Sequence, residues 1–320
     1  MAKAAATFER GRMASSTRDR IVGIVLRYTV IVIAVAFALF PVLFIISSAL
    51  NPTGQLSTQG LLPRVDDPSR LLDNFRGLLI DNLRVYPFWR WLFNSFVVAS
   101  VSTILTVLIT ALSAYSFSRF RFRGRQSLLL WIRLLQVFPN LLALVALFLI
   151  LQQINEVSDT LNQIMPILDW TWLRSFGLNS LGGVILVYMA GAMGINTLLM
   201  KGFLDSIPRE IDESATVDGA TNWQIFWQLI FPLIRPILAV VGVLAFVGTF
   251  NEFVLARLIL RDTENWTLMV GLFNFINSDF NRDWGKFAAG ALVAAVPVVT
   301  LYLILQDQIV GGLTQGAVKG

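Results

Sequence analysis

Carboxylates are this chain's first candidates for functional side chains, and they are concentrated between two apolar segments. Five of them lie within residues 201–237, a segment that we call the acidic loop. Carboxylates in such a loop can form charge-assisted pairs with the arginines of a partner protein. The same pattern is typical of an ordinary solvated helix, and the charges alone leave both interpretations open. The five carboxylates are Asp205, Glu210, Asp212, Glu213 and Asp218.

The acidic loop carries the sequence signals of two short helices joined by a glycine corner. Ser206 can cap a helix and Pro208 suits a first turn, so we predict that a helix begins near Ser206. Asp218–Gly219 offers the positive φ with which many helices end. Thr221 and Gln224 have the spacing of a capping box, which predicts the start of a second helix.

The composition indicates a membrane protein. Apolar residues make up 56% of the chain and charged residues only 14%, and the mean hydropathy is +0.68. The chain has no Cys and no His, which excludes disulfides, the common zinc sites and Cys or His nucleophiles. We therefore predict no catalytic residue and no metal site. The net charge of +5 does not indicate nucleic-acid binding, because the arginines cluster beside apolar segments.

The hydropathy pattern predicts an all-α polytopic membrane protein with six spans and both termini in the cytoplasm. Residues 1–27 form a basic cytoplasmic tail, and four arginines without an acid between residues 119 and 125 place that loop inside. The transmembrane domain then covers residues 28–310, and residues 311–320 form a second cytoplasmic tail. The predicted spans are residues 28–50, 92–117, 127–152, 181–200, 238–260 and 287–305.

Three features inside the predicted spans could affect function. Pro139 interrupts the third span, so a kink is expected near Phe138–Pro139. Arg133 could extend to the membrane interface or line a pathway. Glu252 could be a functional intramembrane acid, or it could pair with Arg257 near the outer surface.

The acidic loop also resembles a known family motif. Residues 213–220 read Glu-Ser-Ala-Thr-Val-Asp-Gly-Ala and are followed by Ile230-Phe231-Pro232. This run is similar to the EAA loop of bacterial ABC-importer permeases, in which the motif marks a coupling helix that docks on an ATPase. Ser214 stands where that family usually has Ala, and Phe231 precedes the proline where Leu is usual. The resemblance assigns ATPase coupling to Glu213, Ser214, Ala215, Asp218, Gly219, Ala220 and Pro232.

From about Arg119 onward the chain resembles the G-type permease subunits of maltose-type carbohydrate importers, through segments such as residues 137–139, 258–262 and 312–320. This implies the type I ABC importer fold in the bacterial cytoplasmic membrane. The implied partners are an F-type permease subunit, two ATPase subunits and an extracytoplasmic sugar-binding protein. ATP and Mg would bind the partner ATPase, since residues 311–316 have the glycine spacing of a phosphate loop but are followed by Ala317 and Val318 rather than by Lys and Ser or Thr.

The same resemblance assigns two further contact sites. A loop that enters the binding protein's sugar cleft would comprise Asn277, Ser278, Asp279, Phe280 and Asn281, and an ATPase-contacting tail would include Gly316, Val318, Lys319 and Gly320. Two other functions are considered from the residues. An ion-coupled secondary carrier would use Glu252 and Arg133, but the chain lacks acids repeated in both halves. An intramembrane enzyme lacks a pair of nucleophile and base.

Overall fold

The described part of the chain is helical, which confirms the all-α prediction. The computed structural model describes the backbone of residues 2–53, 60, 62–63, 67–137, 140–165, 168–277 and 282–317, without the side chains of residues 2–18, 140–142 and 309–317. The α-helices are α1 Ala2–Ala49, α2 Asp73–Arg76, α3 Phe88–Arg119, α4 Arg125–Val137, α5 Asn140–Ile164, α6 Leu181–Leu204, α7 Glu210–Val217, α8 Asn222–Gln224, α9 Phe231–Leu233, α10 Arg235–Phe250, α11 Val254–Ile259, α12 Leu268–Phe273 and α13 Trp284–Ala317.

Five helices within the described residues are long and apolar enough to cross a membrane, and a sixth span is bent. A π-helical turn, Ile225–Ile230, joins α8 to α9, and the resulting helix meets α10 at an angle of 76°. Taken alone, α10 would measure about 24 Å, less than the roughly 30 Å of hydrocarbon, so residues beyond Phe250 must complete this crossing. The described residues therefore contain five candidate spans, or six if the bent pair is one crossing, where six were predicted. The five straight spans are Asp19–Ala49, Phe88–Arg119, Ala143–Ile164, Leu181–Leu204 and Trp284–Gln308.

The prediction for the third span is wrong in its bounds. The structure has two helices here, α4 and α5, and the span of sufficient length lies at Ala143–Ile164 rather than at residues 127–152. The expected kink site, Phe138–Pro139, lies outside the described residues. The outer loop expected from residue 154 is instead the last part of α5. Polar side chains there have partners in the following segment, since Asn155 donates to the Leu178 carbonyl at 3.2 Å and Ser158 to that of Trp170 at 2.8 Å.

The fifth predicted span also ends too late. The helix stops at Phe250 and restarts as α11, whereas hydropathy alone extended it to residue 260. Glu252 lies in the interruption, where its carboxylate accepts hydrogen bonds from the backbone N–H groups of Leu255 and Ala256 at 3.0 and 3.2 Å. These are free donors at the first turn of α11, so the side chain caps that helix.

The remaining helices are longer than predicted. The first begins at Ala2, within the expected N-terminal tail, and the second begins at Phe88. The last continues to Ala317, so most of the expected flexible tail at residues 311–320 is helical backbone. Hydropathy underestimates these lengths because a helix can continue beyond the apolar layer that it crosses.

The bundle is held together where α3 packs along α6 and α10. The buried face of α3 is lined by small residues about one turn apart, which allows neighbouring backbones to approach closely. The Ser, Thr and Ala residues of this span therefore serve helix packing. The stripe comprises Ser95, Ala99, Ser102, Thr106, Thr110, Ala114 and Ser118.

At the end of the bundle opposite the acidic loop, Asn179 joins α6 to the segment after α11. It adopts a left-handed backbone conformation with φ 62°. Its side-chain oxygen accepts the N–H groups of Arg261 and Asp262 at 2.9 and 3.1 Å, and its amide donates to the Asp262 carboxylate at 2.6 Å. Its backbone N–H also donates to the Ile259 carbonyl at 3.0 Å. This one residue therefore fixes two loops against each other.

Close packing at the same end generates a stability prediction. A Cβ at Gly271 of α12 would lie 2.1 Å from the ring of Trp91, which is fully buried. We expect Gly271→Ala to lower the free energy of unfolding by about 1–3 kcal/mol, because this ring has no room to move. Thermal unfolding in detergent, followed by circular dichroism, measures the change.

The matched control is Gly248→Ala in α10, where a Cβ would meet nothing within 4 Å. This substitution should be neutral or stabilising, since Ala favours a helix over Gly by about 0.5–1 kcal/mol. Equal unfolding temperatures for both variants would contradict the packing interpretation.

Candidate functional site

Four of the five carboxylates of the acidic loop lie in two short helices and the turn between them, residues 210–224, which we call the corner. Glu210, Asp212 and Glu213 occupy the first turn of α7, where negative charge is favoured by the helix dipole. The predicted start near Ser206 is wrong, because α7 begins at Glu210. The Ser206 hydroxyl donates to the Phe203 carbonyl at 2.7 Å, completing the end of α6 instead of capping α7.

The turn at Gly219 follows the prediction. Gly219 has φ +85°. Its N–H donates to the Thr216 carbonyl at 3.1 Å, and the N–H of Ala220 donates to the Ala215 carbonyl at 2.9 Å. These two bonds are the Schellman arrangement, which requires a residue in the left-handed conformation. The corner is thus closed by backbone bonds that depend on glycine.

The capping box is confirmed in full. The Gln224 side chain accepts from the Thr221 N–H at 2.8 Å, and the Thr221 hydroxyl accepts from the Gln224 N–H at 3.3 Å. Both bonds satisfy donors that a helix start would leave free. The second helix therefore begins directly after the glycine turn.

A buried ion pair attaches the corner to the bundle. The Arg119 Nε lies 2.9 Å from an Asp212 carboxylate oxygen, and only 6% and 16% of these side chains are exposed. Arg119 also donates to the Ile207 carbonyl at 3.1 Å, and Arg209 donates to the Ser118 carbonyl at 2.9 Å. Sequence reasoning missed this pair, because Arg119 was interpreted only as one of four positive charges that orient the loop.

Asp205 adds a second tie between α6 and the end of α3. Its carboxylate accepts from the Ser118 hydroxyl at 2.7 Å and from the Lys201 ammonium at 2.5 Å. Burial raises the pKa of Asp205, but the bonds from Lys201 and Ser118 outweigh it and hold the pKa below the ordinary value of 3.8. A lowered pKa stabilises the fold above that value and loses its effect as the pH falls below it. The tie is therefore intact at neutral pH.

The inward side of the corner rests on an apolar cluster. Ala215 is 7% exposed and packs with Met200, Leu204 and Phe226, and Tyr115 of α3 lies with its ring 5.1 Å from that of Phe226. Ala215 thus faces the chain's own core, and its small side chain lets α7 pack closely against the bundle. Pro232 is the second residue of α9, just before the 76° bend, and is half-buried.

The outward side of the corner is exposed and mixed in character. Glu213, Ser214, Asp218 and Gly219 all lie on this surface, whereas Ala220 is half-buried. Two apolar side chains are exposed beside them, Val217 at 87% and Trp223 at 63%. The sequence analysis did not include Val217 and Trp223, although an apolar residue at the end of a polar helix is a signal that could have identified them. A rigid tip with an acidic rim can receive a partner groove that carries arginines.

The other predicted site residues are only partly described. Asn277 is exposed at the start of its loop, and Ser278, Asp279, Phe280 and Asn281 lie outside the described residues. The loop is closed at its base, where the Asp283 N–H donates to the carbonyl of the buried Phe275 at 2.8 Å. Gly316 belongs to α13, and Val318, Lys319 and Gly320 lie outside the described residues.

The two intramembrane charges behave differently. Glu252 accepts a hydrogen bond from the Tyr188 hydroxyl at 2.5 Å in addition to its capping bonds. Arg257 lies over the Trp266 ring at 5.3 Å, so the structure does not place it with Glu252 as one hypothesis proposed. Arg133 is exposed on α4 and has no ion-pair partner among the described residues. Glu252 thus has a structural role that explains its presence in a span.

The bundle and its corner define a class: a multi-pass helical membrane protein that presents one rigid polar corner at one end. Residues 106–314 match the family model described as binding-protein-dependent transport system inner membrane component. The chain belongs to this family of ABC transporter permeases. Such permeases are not enzymes, and family membership supports an ABC permease over an ion-coupled carrier.

Two curated relatives and one solved structure give the nearer context. The galactooligosaccharides transport system permease protein GanQ of Bacillus subtilis (strain 168) is 35% identical, covering 94% of this chain and 97% of that protein. The maltose/maltodextrin transport system permease protein MalG of Escherichia coli (strain K12) is 34% identical, covering 92% and 95%. A chain of a bacterial ABC transporter that imports alginate superposes with TM-score 0.70 at 22% identity, covering 91% and 97%. That likeness supports the fold.

The buried pair gives a prediction about the corner. Asp212→Asn leaves the Arg119 charge buried without a counter-charge, so we expect the free energy of unfolding to fall by about 3 kcal/mol. Replacing both residues, as Arg119→Met with Asp212→Leu, should recover most of that loss, since no buried charge then remains. Thermal unfolding in detergent measures all three forms.

The control is Asp73→Asn, which removes an ion pair whose side chains are 59% and 44% exposed. That change should cost less than about 1 kcal/mol, because surface pairs are well screened. The interpretation is wrong if Asp212→Asn is as stable as the control.

Proposed function

We propose that this chain is the G-type permease subunit of an ATP-driven importer of maltose-type or related oligosaccharides in the bacterial cytoplasmic membrane. The exposed, internally fixed corner carries this proposal, because it has the form of a docking element and the chain offers no phosphate-binding loop of its own. The named substrates of GanQ and MalG support the sugar class. Both termini and the corner then lie in the cytoplasm.

The proposed assembly contains an F-type permease subunit, two ATPase subunits and an extracytoplasmic sugar-binding protein. ATP and Mg bind the ATPase subunits, and this chain holds neither. The corner couples the permease to one ATPase, with Glu213 forming a charge-assisted contact and Gly219 maintaining the turn. Val217 and Trp223 supply apolar area, which desolvated contacts of this kind require.

Mechanically, the corner can transmit force because it is fixed in two directions. The pair of Arg119 and Asp212 ties α7 to α3, and the cluster under Ala215 ties it to the helix that begins at Asn222. A displacement of the docked ATPase therefore acts on α3 and on the bent fifth span together. The sugar path opens or closes as these helices move.

The experiment is uptake into proteoliposomes that contain the full complex, with maltotriose and galactotriose as probes. Uptake should require ATP inside, stop with an inactive ATPase and continue with a protonophore. Glu213→Lys should abolish uptake, because the reversed charge repels the ATPase arginine, whereas membrane insertion should be unchanged. Uptake that continues with an inactive ATPase and stops when the protonophore is added would establish an ion-coupled carrier instead.

Glu210→Lys is the matched control, because Glu210 and Glu213 share the first turn of α7 and both are exposed. Reversal of Glu210, the first residue of α7, disturbs the helix dipole at least as much as reversal of Glu213. A loss of uptake confined to Glu213→Lys therefore reports docking, and equal losses in both variants would show that only helix stability matters.

The glycine turn gives a separate prediction. Gly219→Asn should retain uptake and Gly219→Pro should not, because Asn tolerates positive φ and Pro cannot adopt it. The same uptake assay measures both variants.

The loop from Asn277 to Asn281 and the end of the chain are proposed as two further contacts. The loop would enter the sugar cleft of the binding protein, and its fixed base at Phe275 and Asp283 supports that placement. The last residues, including Gly316, Val318, Lys319 and Gly320, would lie between the ATPase subunits. Helical backbone through Ala317 supports this because less ordering entropy is then lost on insertion.

Two shortened chains separate these contacts. Deletion of residues 278–281 should slow sugar release from the docked binding protein, and a chain ending at Val310 should assemble but show reduced hydrolysis of ATP stimulated by the loaded binding protein. Stopped-flow release and phosphate production measure the two effects. Normal values for either variant would remove the corresponding contact from the proposal.

A further inference from the structure

The helix from Asn222 to Leu233 presents apolar side chains that the bundle does not cover. Its inward side is buried, since Ile225 and Ile230 are 1% and 0% exposed. On another side, Leu229 and Leu233 are 37% and 46% exposed, although the helix contains no charged residue that would favour contact with water. Leucines left uncovered on an uncharged helix indicate a surface that meets another apolar phase.

The position of this helix places that surface at the membrane boundary. The helix meets α10, which crosses the membrane in the fifth span, at 76°. Spans tilt by about 20° from the membrane normal on average, so a helix at this angle to one lies close to the membrane plane. Its buried side packs on Met200 and Leu204, at the end of the 24-residue span of α6. That span measures about 36 Å, more than the roughly 30 Å of hydrocarbon, so its ends reach the headgroup layers.

Three aromatic rings run along this helix from the corner to the bend. The rings of Trp223 and Trp227 lie 5.5 Å apart, and those of Trp227 and Phe231 lie 4.8 Å apart. Trp227 is half-buried, and its indole N–H has no hydrogen-bond partner within the described part of the chain. Tryptophan is enriched at membrane boundaries because its ring suits the apolar layer and its N–H suits the headgroups. The row of rings therefore fits the boundary better than it fits water.

A single positive charge follows directly after this helix. Arg235 is exposed at the first position of α10 and has no ion-pair partner among the residues that the structure describes. The sequence offers none nearby, since residues 219–251 contain no Asp or Glu. A guanidinium binds a phosphate group through two parallel hydrogen bonds. At the membrane boundary, the phosphate available to Arg235 is that of a phospholipid headgroup.

We propose that the helix from Asn222 to Leu233 lies in the headgroup layer and binds an anionic phospholipid of the cytoplasmic leaflet. Arg235 binds the lipid phosphate, and the Trp227 indole donates a hydrogen bond to the headgroup layer. Leu229 and Leu233 contact the acyl chains. An interfacial helix of this kind is held by its buried apolar area together with attraction to anionic lipids. The choice of leaflet rests on the proposed function, which places the corner in the cytoplasm, whereas the lipid contact itself does not.

The natural absence of cysteine allows a direct test with single introduced thiols. Leu229→Cys and Leu233→Cys are labelled with a bimane fluorophore in the reconstituted complex, whose partner subunits carry no other reactive thiol. Gln228→Cys is the matched control, because Gln228 is exposed on the same helix but is polar. Brominated acyl chains should quench the two leucine positions at least about twofold more than the control, since the apolar face of an interfacial helix lies about 5–10 Å deep.

The second arm tests the preference for an anionic lipid. Leu233→Cys is labelled in vesicles of phosphatidylcholine that contain a small, equal amount of either brominated phosphatidylglycerol or brominated phosphatidylcholine. The phosphatidylglycerol should quench about twofold more, because a positive side chain at the surface attracts anionic lipid. Arg235→Gln should remove this difference, and Arg235→Lys should retain part of it. The charge control is Arg84→Gln, at the opposite end of the bundle, which should leave the difference unchanged.

Three results would overturn the proposal. Equal quenching at Leu229, Leu233 and Gln228 would show that water or the F-type subunit covers this face. Quenching without a preference for phosphatidylglycerol, or a preference that survives Arg235→Gln, would remove the anionic lipid. Unfolding temperatures of the labelled complexes identify any variant that disturbs the fold, and the two leucine positions are measured independently. Quenching requires neither ATP nor sugar, so absence of uptake by the unaltered complex counts against the proposed function alone.

Discussion

The side chain of Arg119 leaves the end of a membrane-length helix and is covered by the loop that returns from α6, so that only 6% of it remains exposed. A charge in such a place needs a counter-charge, because an unpaired buried ion costs several kcal/mol. Asp212 supplies it from the first turn of α7. The corner therefore has one stable position on the bundle, and the bonds from Arg209 to Ser118 and from Ser118 to Asp205 maintain it.

Local signals in the sequence were sufficient for the backbone of the corner. Gly219 and the pair of Thr221 and Gln224 act on neighbours within a few residues, so their types and spacing determine the turn and the second helix. The attachment of the corner could not be predicted in the same way. Arg119 and Asp212 are distant in the chain, and each lies near other charged residues of its own sign. The packing of α3 against α6 determines which arginine pairs with which acid. The same limit applied to Ala215, whose small size left open whether it faces a partner or its own core.

The spans show a similar division. Apolar length predicted six crossings because the hydrocarbon layer sets a minimum that every span must meet. It did not predict where helices stop, since those points depend on individual side chains. Glu252 caps α11 directly after the end of α10, and Asn155 and Ser158 bond to a neighbouring segment from the part of α5 that lies beyond the predicted span. A hydropathy profile averages over a window of many residues, so it does not locate a helix boundary that depends on a single side chain.

The 76° bend between Leu233 and Arg235 changes the direction in which motion is delivered. The helix from Asn222 to Leu233 is about 18 Å long, so a rotation of about 10° around the bend moves its far end by about 3 Å. This helix acts as a lever arm with its fulcrum at the membrane end of α10. Because α10 is the longer arm, at about 24 Å, a rotation that moves the far end of this helix by about 3 Å moves the opposite end of α10 by about 4 Å, so a displacement at the corner reaches the fifth span without loss of amplitude.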